Sequence, residues 1–559
     1  MPKISFKQII FLSLLLIVGI FMFFHKLDVI PPGFYVDEAL HGYSAYSILE
    51  TGKDEYGKAF PMVFRMYGSY NEPLYVYLTT LPIKIWGLTA FSVRSIAALS
   101  GLALIFIIYA FLKSMKISTI GSLFFAITPV VVFRARVGDE IGLAFTLFCL
   151  GSYFLWLSVK KQNWLIPAFF VLSLSTYAAY AQRFTVPFVL VFYFLFFRKL
   201  LLAQSNRKNF LYALGVLILT QIPHLYLLTT PVFLPKTEET GLQNILMQSE
   251  KLKGFIPAPL AILLSFIREF SSQFANYFSP KSLFLAGYKD LPGLTLFYQW
   301  MLVPYLIGIY LLWKKRQSDR SKFIFLLALS APITASLTKD PFPVHRTLAL
   351  ILPIFLAIAL GLDKIISTKI FKRKLINRGF WVILGIVVFC FSLILFWRSY
   401  FVIFPVEKAK YWAYGYAELS QFIKKNPDSH FVIDRVRIPI PYIELAFFLK
   451  VPPQEFQNSV DPTIRKNYYE NPPFDQNFKF ANIETRAIIW EKDIYKEQFL
   501  VGDSLAISPE QAQEHKLEKA LEIKEPLGEV VFQVYRTNPF LKCKSEKVKS
   551  IYCTTSSTF

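Results

Sequence analysis

Apolar stretches long enough to cross a bilayer recur through this chain, at roughly residues 8–25, 91–112, 117–133, 141–158, 164–180, 186–198, 209–228, 295–313, 322–337, 347–363 and 379–401. A single soluble core cannot bury so many apolar runs, whereas in lipid each can satisfy its backbone groups as a helix. The expected fold is therefore a polytopic α-helical membrane protein of about eleven spans. Composition agrees: 54% of the 559 residues are hydrophobic and 57 are Phe. The formal net charge of +22 would suit nucleic acid. Yet most Lys and Arg lie in short clusters between apolar runs, at Lys113 and Lys116, Lys160 and Lys161, 198–208, 314–320 and 364–378, which is how bilayer orientation is encoded. Nucleic-acid binding is discounted on that ground.

Those basic clusters place alternate connections in the cytoplasm and leave the loop 26–90, the turn 134–140, the turn at Gln182 and Arg183, the loop 229–294 and the connection 339–346 outside. The N-terminus, with Lys3 and Lys7 ahead of its apolar run, is expected to be cytoplasmic and the first span retained, because no small-residue cleavage site precedes Pro31-Pro32. Residues 74–86 (LYVYLTTLPIKIW) are apolar but short, broken by Pro82 and charged at Lys84. Counting them as a span would invert every later loop, so they are assigned to an interfacial helix within the first outer loop, with Tyr75, Tyr77 and Trp86 at headgroup level. Beyond residue 403 the composition turns mixed and polar, with strand-like runs at 431–433 and 530–534 and helix-like stretches at 411–425 and 509–522. The expectation is a membrane domain over 1–403, an extracytoplasmic α/β domain over 404–540 and a loosely ordered tail over 541–559. Cys543 and Cys553 share that tail, and outside the cytoplasm a disulfide between them is open to them.

With this topology the charged residues gather on one side. Asp37, Glu38, Asp54, Glu55, Glu72, Arg136, Asp139, Glu140, Arg183, His345 and Arg346 all fall on outer loops or outer helix ends. Asp37 and Glu38 follow the first span, where charge is costly unless it is used, and they are taken as the centre of a catalytic site. The plain alternative is that they fill a helical first turn, where negative charge suits the dipole. Arg136, Arg183 and Arg346 stand within a residue or two of span ends, placed to hold an anionic lipid headgroup, although an arginine there is also an ordinary snorkelling anchor. Asp139 and Glu140 repeat the acidic pair across a tight turn that carries both signs of charge. His41 and His345 lie on the same face, but no two histidines show helical ligand spacing, which leaves a divalent cation undecided. His25 and His224 read as structural residues near helix ends.

The acidic pair, the segment Pro73-Leu74-Tyr75-Val76-Tyr77 leading to Trp86-Gly87, the run Phe91-Ser92-Val93-Arg94-Ser95-Ile96-Ala97-Ala98-Leu99 and the stretch Arg136-Val137-Gly138-Asp139 together resemble the C-type membrane glycosyltransferases, in the branch of protein O-mannosyltransferases and aminoarabinose transferases. Asn276 to Leu285, His345-Arg346, Tyr411 to Tyr416 and Pro441-Tyr442-Ile443 resemble prokaryotic members, so the likeness covers nearly the whole chain. The resemblance implies a sugar donor on a polyprenyl phosphate and an acceptor that is a protein, a lipid or a glycan. It makes Asp37 the base, Glu38 and Asp139 its orienting partners, and Arg136, Arg183 and Arg346 the phosphate holders. Asn71-Glu72-Pro73 departs from the family pattern of a basic residue and paired prolines, and puts Glu72 in question as a donor-binding group. One base and one displacement imply inversion at the sugar. A transporter or flippase, a glycan ligase or polymerase using a diphosphate carrier, and an anchored receptor are the competing classes. The first calls for charge in mid-span, and here the spans are nearly uncharged; eleven spans are excessive for an anchor.

Overall fold

The structure is a computed structural model that describes residues 5–66, 68–233, 241–338, 344, 346–371, 373–437, 440–470, 477–546 and 550–553. His345 lies outside these residues. Two compact units are present, one made of 1–25, 71–75 and 95–401, the other of 26–70, 76–94 and 402–559.

Among the described residues eight helices are long and apolar enough to cross a membrane: Phe6–Phe24, Ala90–Ser114, Glu140–Ser158, Tyr180–Leu201, Arg207–Leu227, Asp319–Leu337, Leu348–Ser367 and Leu375–Glu407. The expected count of about eleven is not reached, because three of the apolar runs hold only shorter helices. Residues 117–133 form two short helices, Gly121–Ala126 and Pro129–Arg134, because Pro129 has no N–H to continue the ladder. Residues 164–180 give only Leu165–Ser175, and 295–313 only Leu302–Lys314. The helix Pro73–Trp86, interfacial by its sequence, has 14 residues with Pro82 inside it and is not among the eight.

Within the first unit, Leu302–Lys314 packs along Ile351–Ser367. The crossing is close because it is made at glycines: a Cβ on Gly308 would lie 1.9 Å from the carbonyl oxygen of Ala357, and one on Gly361 1.8 Å from that of Pro304. Small residues at such crossings are how helices associate where water offers no hydrophobic drive. Leu165–Ser175 lies against both Glu140–Ser158 and Arg207–Leu227.

The second unit holds a six-stranded sheet in the order Phe478–Phe480, Ile483–Thr485, Phe431–Ile433, Phe499–Gly502, Val530–Arg536, Glu518–Lys524. The central strand pairs parallel with both neighbours, Phe431 opposite Ile483 and Phe499, and the outer pairs are antiparallel. Val432, Leu500, Ile507 and Tyr535 form a buried core against it. The strand-like runs are thus strands, but the helix expected over 509–522 stops at Glu514, and Glu518–Lys524 is an edge strand paired with Val530–Arg536. The tail carries the helix Pro539–Ser545 and a Cys543–Cys553 disulfide.

The same unit contains the helix Val36–Thr51. It starts where extended Tyr35 gives its backbone N–H to Glu38 Oε2 at 3.1 Å, and it ends at Gly52, whose φ of +68° suits a residue without Cβ. Its face is laid on the helix Pro441–Leu449 of the sheet domain. Gly42 makes this possible, since a Cβ there would come within 2.6 Å of the Phe447 ring and 2.7 Å of Val93. Phe34 stacks on Phe447 with ring centroids 4.3 Å apart, and Tyr43 donates its hydroxyl to the carbonyl of Val451 at 3.0 Å. Residues 26–70 and the sheet domain thus belong to one compact unit.

Candidate active site

Asp37 and Glu38 occupy the first turn of Val36–Thr51, as the plain reading of the pair allows, but their environments differ. Asp37 is half-buried; Glu38 is fully buried and bonded at both oxygens to Arg94, which donates Nε to Oε1 and an Nη to Oε2, each at 2.8 Å. Arg94 also donates to the carbonyls of Leu27, Pro31 and Gly33. A fork of this geometry fixes both partners. It knits the stretch before the helix to the helix itself and leaves Asp37 the more accessible carboxylate of the pair. Arg94 lies in the run Phe91 to Leu99, where the sequence alone gives it no role; the signal that could have found it is a charge at the head of an apolar run with no basic cluster near it. His41, one turn along, is completely buried.

In the first unit Glu72 and Arg183 form a buried pair, Nε to Oε1 at 2.7 Å and Nη2 to Oε2 at 2.9 Å. His224 joins them, its Nε2 3.8 Å from Glu72 Oε2, its ring stacked on Tyr177 and its Nδ1 2.8 Å from Gln221 Oε1. Taken from sequence as a structural residue, His224 belongs to this polar cluster. Arg183 and Gln221 also line a cavity of about 410 Å³ whose remaining wall is almost wholly apolar, with Phe169, Leu190, Phe194 and Leu217 among its residues.

The second acidic motif of the same unit has its charges paired off. Asp139 caps the helix Glu140–Ser158 by accepting from the N–H of Ile141, and its other oxygen takes Arg134 Nη1 at 3.1 Å. Arg134 extends to Tyr288 and Asp290. Glu140 follows in the first turn. Arg136, expected at a phosphate, is fully buried and donates to the carbonyls of Met22 and His25 and to the Tyr400 hydroxyl. Its guanidinium braces the end of the first helix. Arg346 lies partly exposed just ahead of the turn Leu348–Leu350. Among the described residues no three His, Cys, Asp or Glu side chains are gathered as a metal site.

Residues 71–227 match the family model described as dolichyl-phosphate-mannose-protein mannosyltransferase. The fold is similar to that of ArnT from Cupriavidus metallidurans, solved bound to undecaprenyl phosphate, at a TM-score of 0.53 and 12% identity, covering 94% of this chain and 97% of that one. It is also similar to the Archaeoglobus fulgidus oligosaccharyltransferase tethered to an acceptor peptide, at a TM-score of 0.51 and 12% identity over 94% of this chain and 74% of that one. No curated protein matches the sequence. Residues 71–227 thus resemble the dolichyl-phosphate-mannose-protein mannosyltransferase family, and the chain along nearly all its length shares the fold of ArnT and of the archaeal oligosaccharyltransferase.

Proposed function

We propose that this protein is an inverting glycosyltransferase that moves one sugar from a polyprenyl-phosphate carrier to an acceptor (protein, lipid or glycan) on the extracytoplasmic face of the membrane. The observation that carries the reading is the cavity of about 410 Å³, in whose mostly apolar wall Arg183 is the charged group, with Gln221 and Thr176 beside it. An apolar slot among membrane helices suits a prenyl chain, and a guanidinium held in one plane by Glu72 suits the phosphate that the chain carries. The undecaprenyl phosphate bound by ArnT supports the same ligand class.

Asp37 is the base. It takes the proton of the acceptor hydroxyl as the acceptor oxygen bonds to the anomeric carbon; the bond from that carbon to the phosphate oxygen breaks, and its electron pair leaves with the phosphate. Negative charge then builds on the phosphate, where Arg183 and Arg346 stabilise it. Glu38, locked by Arg94, orients the turn that carries Asp37. Arg136 and Asp139 fix helix ends within the first unit. Attack from the side opposite the phosphate inverts the sugar carbon.

The test is transfer of radiolabel from undecaprenyl-phosphate mannose, and from other undecaprenyl-phosphate monosaccharides, to membrane extract. Wild type should transfer label, and Asp37→Asn should lose about 10²–10⁴-fold in turnover while still binding the donor. Label moved equally well by Asp37→Asn removes Asp37 as the base. Donor bound by both proteins and transferred by neither would point to a carrier, and transfer only from a diphosphate-linked glycan to a ligase.

A further inference from the structure

The helix Pro441–Leu449 lies on the helix of Asp37, and its first turn carries a carboxyl that nothing in the preceding mechanism uses. Glu444 is 2% exposed, and neither of its carboxylate oxygens has a hydrogen-bond partner. It stands one helical turn ahead of Phe447, which packs against Phe34 and against Gly42 of the neighbouring helix. The elements around it bring Asp37, Glu38, His41 and Tyr43 from Val36–Thr51, Tyr416 from the helix Tyr416–Lys425, and Arg94, which is already committed to Glu38. The charges it feels are those of Glu38 and then Asp37.

An ionised carboxylate in a dry site without a single hydrogen bond is costly, and a third anion beside Asp37 and Glu38 would be costlier still. Burial first, and then the charges of Glu38 and Asp37, hold the Glu444 carboxyl well above the usual carboxylate range. Burial and the nearness of Glu444 likewise push up the hydroxyl of Tyr416. Asp37 is half in solvent, Glu38 is paired with Arg94, and Glu444 has neither solvent nor a hydrogen-bonded cation beside it. When two carboxyls share a site, their environments divide the roles between them.

We propose that Glu444, brought in by the sheet domain, is a positioning residue for Asp37: it keeps a proton of its own, so that Asp37 alone carries the charge that receives the proton of the acceptor hydroxyl. This rests on Asp37 being the base. Glu444 gives up no proton during turnover; the acceptor's proton goes to Asp37 and from there to water. If Glu444 loses its proton, a second charge appears beside Asp37, draws protons to the pair and opposes a departing phosphate. The sheet domain is in this way a part of the catalytic apparatus.

The experiment uses the full-length protein in two measurements. Isotope-edited infrared spectroscopy of wild type against Glu444→Gln should show, at pH 7, a protonated-carboxyl band that the variant lacks; the absence of that difference overturns the proposal, whatever the enzyme's substrate. The second measurement is the pH profile of kcat/KM with radiolabelled undecaprenyl-phosphate mannose. Glu444→Gln, neutral at every pH, should stay within about threefold of wild type at neutral pH and hold its rate at least about one pH unit further into the alkaline range. Glu444→Met, which fills the site without any polar group, should share the extended limb even if its stability or peak rate falls. Profiles of both variants that superimpose on wild type after scaling leave Glu444 a merely structural role and overturn the proposal. If Asp37→Asn retains turnover, the base assignment fails first, and the infrared result still reports on Glu444 separately.

Discussion

Arg94 and Glu38 are a buried ion pair, and removing one partner strands the other. Arg94→Met should cost about 3–5 kcal/mol, seen as a large drop in thermal midpoint in detergent, because Glu38 would be left as an uncompensated charge among apolar neighbours. Pairing that change with Glu38→Gln should recover part of the loss; a double variant no better than the single one would show that the carbonyl contacts of Arg94, and not the ion pair, carry its effect. Arg183→Met is expected to act differently, raising KM for the lipid donor by roughly tenfold or more, since a charge-assisted contact to phosphate is worth about 1.5–3 kcal/mol. An unchanged KM would remove Arg183 from the donor site. Neither pair was legible in the sequence. Asp37 and Glu38 announce themselves as adjacent acids after a span, but the arginine that holds Glu38 is 56 positions away, and the glutamate that holds Arg183 is 111 positions from it. A span-end arginine looks the same whether it anchors in headgroups or pairs in the interior.

At the scale of elements, the loop after Val36–Thr51 is fastened to the stretch 442–468 by buried polar groups. Tyr468 gives its hydroxyl to Asp54, Tyr56 and Tyr442 share a hydrogen bond, Gln457 donates to Ser47, Thr51 and the Asp54 carbonyl, and Ser44 donates to Glu55. Burial raises Asp54 to about 6 against the pull of Tyr468 and of backbone N–H groups, and burial together with Asp54 raises Glu55. A folded state that binds these protons more tightly than the unfolded chain keeps their stabilisation in full below the usual carboxylate range and loses it as pH rises through about 6. The thermal midpoint should therefore fall between pH 5 and pH 7.5, by an amount equivalent to roughly 1–3 kcal/mol, and Asp54→Asn should flatten that slope. A midpoint that rises over the interval would mean that Asp54 is ionised in the fold. The strands at 431–433 and 530–536 were readable because each carries its own apolar run. Glu518–Lys524 was not, since its strand character comes from the partner it pairs with and not from local propensity.

For the whole molecule the open quantity is parity. Among the described residues eight helices reach spanning length, an even number, whereas the Lys and Arg clusters ask for an odd one with the sheet domain outside. The two agree if the three shorter segments complete crossings as interrupted helices, which a membrane protein tolerates where the broken backbone is covered by protein. The residues of Gly121–Ala126 are all buried, and so are those of Pro129–Arg134 up to Phe133, which is the condition such a broken crossing needs. The apolar run was therefore legible while its continuity was not, because a proline stops a ladder without making the run less apolar. The Cys543–Cys553 disulfide belongs with an oxidising compartment and favours the same orientation. In intact cells a membrane-impermeant amine reagent should label Lys410 and Lys519, both exposed on the sheet domain, and should reach the basic stretch 364–378 only after permeabilisation; peptides holding Cys543 and Cys553 should stay joined until reduced. Label at 364–378 in intact cells, with Lys410 protected, would set the chain the other way round and move Asp37, Glu38 and the sheet domain to the cytoplasmic side, where a transferase acting outside the membrane could not use them.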